Sequence, residues 1–374
     1  LTLPEVDLGE GFGMALAAHD GWLAVGAPAM DDGRGAAFLF REVGPAWLYL
    51  GKAQFDEAAR VEGDAFGSSV TLGDGWLAIG APGAVEGVGR VALFELPEVA
   101  EVEARADEGW MELLGTPVLL SPDVRPASGD LVGTGGPVAF GSSVALRDGR
   151  LAIGAPGPGL AALQTGATPQ PGAVHVFEAE VADDGGTGWF RAAHLESPTE
   201  GPAMLGAAVH FGAGGDLFAG APLAGSGKGA VERFVAADGG RWRHAGTLTA
   251  EGDLPGQAFV GLQLAEAGGQ LLAGAPFAST VIVFGAAEGA GTDDAWVERA
   301  RVANTGAGNG FFGMALAGSG EHFVVGAPGA SIYAGLGFLY RWTAGGDDAA
   351  GAADGAAGEW QLAQELADMP MPLT

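Results

Sequence analysis

The chain has 374 residues, with 46 acidic against 17 basic side chains and a formal net charge of −29. That balance repels nucleic acid and anionic lipid surfaces, and the absence of cysteine excludes disulfides and thiol chemistry. The 69 glycines follow no Gly-X-Y period and accompany a hydrophobic fraction of 48%, so collagen and disorder are excluded in favour of short strands joined by tight turns.

The first element, Phe12–Pro28, opens with an apolar residue followed by Gly and closes with Gly-Ala-Pro. Phe66–Pro82, Phe140–Pro156, Leu205–Pro222, Val260–Pro276 and Phe312–Pro328 repeat the plan. The closing Gly lies fourteen residues after the opening apolar residue in five copies and fifteen in the fourth. Within the second copy, Asp74-Gly75 is a two-residue type I′ turn signal. Folding about it pairs Gly73 with Trp76, Leu72 with Leu77, Thr71 with Ala78, Val70 with Ile79 and Ser69 with Gly80. The residues beyond each Gly-Ala-Pro and those before each Phe-Gly therefore share one end of the hairpins.

Each hairpin precedes a third apolar run, at 36–40, 91–95, 173–177, 230–234, 281–284 and 337–342. A fourth strand is predicted to start at Trp47, Trp110, Trp189, Trp242, Trp296 and Trp360. The tryptophans recur at one structural position and are expected to pack outer strands. Four-stranded antiparallel units at a spacing of roughly 50 to 75 residues predict an all-β, six-bladed β-propeller. It spans 1–374 as one domain, with blades at about 12–55, 66–120, 140–196, 205–250, 260–303 and 312–368. Leu1–Leu3 and Trp360–Asp368 are both placed to close the ring, so N- and C-terminal strands meet there. No run approaches a membrane span, and no basic, apolar leader opens the sequence. A monomer is expected.

The Phe-Gly and Gly-Ala-Pro signature, followed by a G-x-V-x-x-F strand and a Trp strand, resembles the FG-GAP repeats of integrin α-subunit propellers and their bacterial relatives. The likeness covers nearly the whole chain. It implies an extracellular or cell-surface module that binds a protein or glycan through one face. Two departures stand out. Integrin propellers typically have seven blades, and their calcium loops of D-x-D-x-D-G type are replaced here by the bare turns Asp20-Gly21, Asp74-Gly75 and Asp148-Gly149. One carboxylate on a two-residue turn cannot supply the six to eight oxygens Ca²⁺ takes, so neither metal nor cofactor is carried over.

Asp31-Asp32, Asp56, Glu57, Glu62, Asp64, Glu86, Asp123, Asp130, Glu196, Glu200, Glu251 and Asp253 all fall at the end shared by Phe66 and Pro82. They read as an acidic rim with Arg34, Arg60, Arg90 and Arg125 among them. The six histidines show no paired metal spacing. Ser142-Ser143 lacks a nucleophile elbow, and Gly308–Gly313 leads into a hairpin rather than a βαβ unit. The chain is accordingly expected to be a non-catalytic recognition or adhesion module and not an enzyme. Its expected contacts are Asp31, Asp32, Asp123, Asp130, Gln164 and Gln170. The alternatives are a polysaccharide lyase or hydrolase using carboxylates of that face, and a structural spacer.

Overall fold

The computed structural model describes residues 10–98, 102, 114–122, 138–157, 171–181, 186–198, 201–237, 240–287, 295–304, 310–333, 335–343 and 358–366. Asp74 and Gly75 take φ values of 51° and 77°, as a type I′ turn requires. The hairpin then closes in the predicted register, Gly73 opposite Trp76 through Ser69 opposite Gly80. Asp20-Gly21 and Asp148-Gly149 repeat the turn with positive φ at both residues.

Twenty-four strands form six four-stranded antiparallel sheets. The first blade holds β1 (Ala15–His19), β2 (Trp22–Ala27), β3 (Ala36–Val43) and β4 (Ala46–Ala53). The second holds β5 (Ser69–Gly73), β6 (Trp76–Ala81), β7 (Arg90–Glu95) and β8 (Val118–Leu120). The third is β9 (Ser143–Arg147), β10 (Arg150–Ala155), β11 (Ala173–Val181) and β12 (Thr187–Glu196). The fourth is β13 (Val209–Phe211), β14 (Leu217–Ala221), β15 (Ala230–Ala237) and β16 (Arg241–Leu248). β17 (Leu264–Ala267), β18 (Gln270–Ala275), β19 (Thr280–Ala286) and β20 (Trp296–Ala303) make the fifth. β21 (Ala315–Ser319), β22 (His322–Ala327), β23 (Leu336–Thr343) and β24 (Glu359–Leu366) make the sixth. The fold is the six-bladed β-propeller that the repeat predicts.

The C-terminal strand β24 completes the sixth blade, while Leu1–Leu3 lies outside the described residues. Trp110 lies outside them too. The fourth strand of the second blade is the later Val118–Leu120, whose Leu120 packs with Val91 and Leu93. Among the described residues no helix is long and apolar enough to cross a membrane.

The two glycines of the repeat have different physical reasons. The Gly of Phe-Gly sits at positive φ in every copy, between 88° and 96° at Gly13, Gly67, Gly141, Gly206, Gly261 and Gly313. The Gly of Gly-Ala-Pro needs no special torsion; it needs the absence of a side chain. A Cβ on Gly26, Gly80, Gly154, Gly220 or Gly274 would lie 1.8–2.2 Å from the carbonyl oxygen of the next blade's Phe-Gly glycine. Ser69 and Ser143 donate their hydroxyls, at 2.8 Å, to the same carbonyls of Gly141 and Gly206. Short bridges Gly35–Phe66, Gly89–Phe140, Gly172–Leu205 and Gly229–Val260 complete the joints, so adjacent blades are locked main chain to main chain.

After Gly-Ala-Pro the chain makes a left-handed turn whose crown residues have positive φ: Asp31-Asp32, Val85-Glu86 and Gly225-Ser226. The same hydrogen bonds recur in each. Gly33 N–H donates to Ala29 O and Gly35 N–H to Met30 O, as Gly87 donates to Gly83 and Gly89 to Ala84. From the turn, Gly33 O and Arg34 O accept the amides of Ala65 and Phe66 in the following blade.

The described chain falls into two compact units, Leu1–Phe211 with Ala237–Trp242, and Gly212–Ala236 with Arg243–Thr374. In the first, Phe66, Leu39, Leu77 and Ile79 share one buried cluster, and Phe140, Leu151, Ile153 and Phe177 another. In the second, Val260, Leu271, Ile282 and Phe284 form one cluster, and Phe312, Phe323, Phe338 and Tyr340 the next. Each buried aromatic or branched residue contributes about 1.5–3 kcal/mol. Trp189, Trp296 and Trp360 join this packing, whereas Trp47 is exposed. Trp189 stands edge-on to Trp76 at 5.6 Å, and Trp296 to Phe218 at 4.8 Å.

Candidate active site

Equivalent positions can be counted from the Gly of Gly-Ala-Pro. Its partner on the third strand is Ala37, Val91, Val174, Val231, Val281 or Gly337. The next residue along is Phe38, Ala92, His175, Glu232, Ile282 or Phe338. Four of the six are apolar, so the architecture itself does not call for a polar side chain there. His175 and Glu232 are nevertheless buried, at 4% and 0% exposed.

In four of the blades a β-bulge arranges what such side chains meet. The register shifts between Leu39 and Phe40, Val176 and Phe177, Val283 and Phe284, and Leu339 and Tyr340. Each shift leaves one extra residue in the fourth strand, three after its Trp. Residues two and five after the Trp thereby come to one side, as the ion pair from Arg301 Nε to Glu298 Oε1 illustrates in the fifth blade. In the fourth blade these places belong to His244 and Thr247.

Both reach Glu232. Thr247 Oγ1 donates to Glu232 Oε2 at 2.6 Å, and His244 Nε2 lies 2.7 Å from the same oxygen. A carboxylate can only accept, so the imidazole carries its hydrogen on Nε2 and keeps the Nδ1 lone pair for another partner. Glu232 is wholly dehydrated while the His244 side chain is 34% exposed. Phe234 stands edge-on to the ring at 5.5 Å and limits its tilt. A buried acid thus orients a histidine that solvent can reach, which is the arrangement of a general base held by a third group.

The matching place in the third blade holds His175, edge-on to His194 at 4.7 Å and to Phe140 at 5.2 Å. His194 Nε2 lies 3.3 Å from Glu196 Oε1. Burial, with the charges of His194 and Arg191 behind it, holds the His175 imidazole down to about 3. The unfolded chain protonates this ring near 6.5 and the native one only near 3. Stability present above pH 6.5 is therefore lost as the pH falls through that window. Urea unfolding at pH 7 and pH 5 should differ by roughly 2 kcal/mol from this residue, and His175→Ile should remove that part of the difference.

The residues expected from sequence to make contacts are only partly in view. Asp31 Oδ2 pairs with Arg60 Nη1 at 3.1 Å, and Asp32 Oδ2 lies 3.6 Å from Arg34 Nη1. Asp64, 3% exposed, accepts the Val61 amide at 2.8 Å. Asp123, Asp130, Gln164 and Gln170 lie outside the described residues. Among the described residues no three or more His, Asp or Glu side chains are grouped so as to hold a metal ion. Sequence reading passed over Glu232 and His244. The available signal was a charge in the middle of the apolar run AVERF, where the first and fifth copies have AAFLF and VIVF.

No model of a known protein family matches the chain, and no curated protein matches it. Solved structures do share the fold. A putative 6-phosphogluconolactonase from Bacteroides uniformis aligns over 95% of this chain and 85% of its own, at 9% identity and a TM-score of 0.57. The periplasmic gluconolactonase PpgL of Pseudomonas aeruginosa aligns over the same shares at 14% identity and 0.54. A streptogramin B lyase aligns over 92% and 82% at 8% identity and 0.51.

These neighbours overturn two expectations from sequence, that the chain is a non-catalytic recognition or adhesion module and that it is not an enzyme. All three of these propellers carry enzyme names. Glu232 and His244 come from two different strands, so no contiguous sequence signature marks the pair.

Proposed function

We propose that this propeller is an enzyme that opens a sugar-acid lactone by general-base hydrolysis, with His244 as the base and Glu232 as the residue that positions it. The observation that carries the reading is the 2.7 Å contact between a fully dehydrated carboxylate and a solvent-reaching imidazole. His244 Nδ1 takes a proton from water as the oxygen attacks the ester carbonyl. The ring C–O bond then breaks, and the same proton passes from the imidazolium to the leaving alkoxide, giving the open hydroxy acid. Glu232 accepts the Nε2–H throughout and stabilises the transient imidazolium. Two of the three propellers reported above carry lactonase names, which supports the substrate class.

The repeated Phe-Gly and Gly-Ala-Pro joints support a kinship with FG-GAP propellers in how blades are coupled. The acidic composition and a neighbour named as periplasmic support a location outside the cytoplasm. Proton release from glucono-δ-lactone in a pH-stat, compared between the wild type and His244→Ala, tests the activity. The variant should lose about 10²–10⁴-fold in kcat. Equal rates in the two proteins would overturn the assignment. Release of unsaturated sugar from a uronate polymer in place of lactone opening would select the lyase alternative.

A further inference from the structure

We propose that the polar position of the third blade, His175 with His194 and Arg191, is a binding site for a small oxyanion, a phosphate or carboxylate group. It shares no residue with the Glu232–His244 pair.

Three observations converge. His175 is 4% exposed and its Nδ1 has no hydrogen-bond partner; the buried Nδ1 of His194 has none either. An unpaired buried nitrogen is costly, and a native structure that keeps one on each of two touching rings needs something to satisfy them. The fold does not require them, because Phe38, Ala92, Ile282 and Phe338 fill the same place in other blades.

The surrounding charge chooses the ligand. Arg191 stands on the same side of the bulge as His194, and its Nη1 is anchored on Pro122 O at 2.6 Å, which fixes a guanidinium beside the two rings. This positive field contributes to holding His175 neutral, and it opposes a metal cation as it favours an anion. Glu196 completes the arrangement. With a proton taken from solvent, His194 would donate Nε2–H to Glu196 and Nδ1–H to the bound oxyanion. Glu196 thereby carries the ring's second charge contact.

Inorganic phosphate and gluconate separate the two sources of the oxyanion. Each is titrated into the whole protein by calorimetry in buffers of different ionisation enthalpy, with the histidine ring protons followed by NMR. One of the two should bind with proton uptake and move the resonances of His175 and His194 together. His175→Ile, the residue of the equivalent place in the fifth blade, should weaken that binding by on the order of tenfold or more. His194→Phe should do the same, so a folding failure in one variant leaves the other to decide. Affinity unchanged in these variants would overturn the proposal. Ring resonances that neither anion moves, or that zinc chloride moves instead, would also overturn it.

Discussion

Gly80→Ala loses at least about 3 kcal/mol of stability, whereas Gly75→Ala, five residues away in the same hairpin, loses about 1. The added methyl of Gly80→Ala would meet Gly141 O at 2.0 Å and Ser69 Oγ at 2.3 Å. Neither is the end of a flexible side chain. The carbonyl belongs to the next blade's backbone, and the hydroxyl is bound to that carbonyl. Relief therefore means prising the joint apart, with loss of the Ser69 hydrogen bond and of packing between the second and third blades. At Gly75 the φ of 77° strains any L-residue, but nothing lies within 4 Å. Urea unfolding of the two variants measures the difference. Equal losses would show that the contact explanation is wrong.

Glu232→Gln lowers kcat of the proposed lactone hydrolysis by about 10²–10⁴-fold and leaves KM unchanged. Glutamine keeps an oxygen where Thr247 Oγ1 and His244 Nε2 can still donate, so the ring stays in place. The negative charge that stabilises the imidazolium in the transition state is gone. Stability should change by only about 1–2 kcal/mol, since the geometry of the acceptor is retained. A variant that raises KM as much as it lowers kcat, or that loses rate only in step with its loss of folded protein, would mark Glu232 as a packing residue. Thr247→Val is the matching control. It removes one neutral donor to the carboxylate and should cost a few-fold in kcat, well short of the Gln substitution.

The architecture was legible from sequence because its cause is periodic. Phe-Gly, Asp-Gly and Gly-Ala-Pro recur at fixed spacing, and each marks a place where the backbone turns or touches the next blade. Phe66–Pro82 consequently folds in the register read from its sequence, residue for residue. The second blade's fourth strand was not legible. Trp110 marked a start, whereas the strand that pairs with β7 is Val118–Leu120. The candidate site was hidden for the opposite reason: it departs from the period. Glu232 stands where its counterparts are mostly apolar, and its partners His244 and Thr247 come from the next strand at a three-residue spacing that strand alternation would place on opposite faces. Of the four acidic residues expected from sequence to make contacts, the two that the structure describes, Asp31 and Asp32, pair with arginines.

The left-handed turns after Gly-Ala-Pro close through the same main-chain hydrogen bonds, and their crowns read Asp-Asp, Val-Glu and Gly-Ser on one recurring frame. Structure and message are thereby uncoupled at these crowns. Evolution, or a protein engineer, can rewrite the letters displayed there without renegotiating the scaffold beneath, which makes them natural cassettes for grafting new chemistry onto this protein.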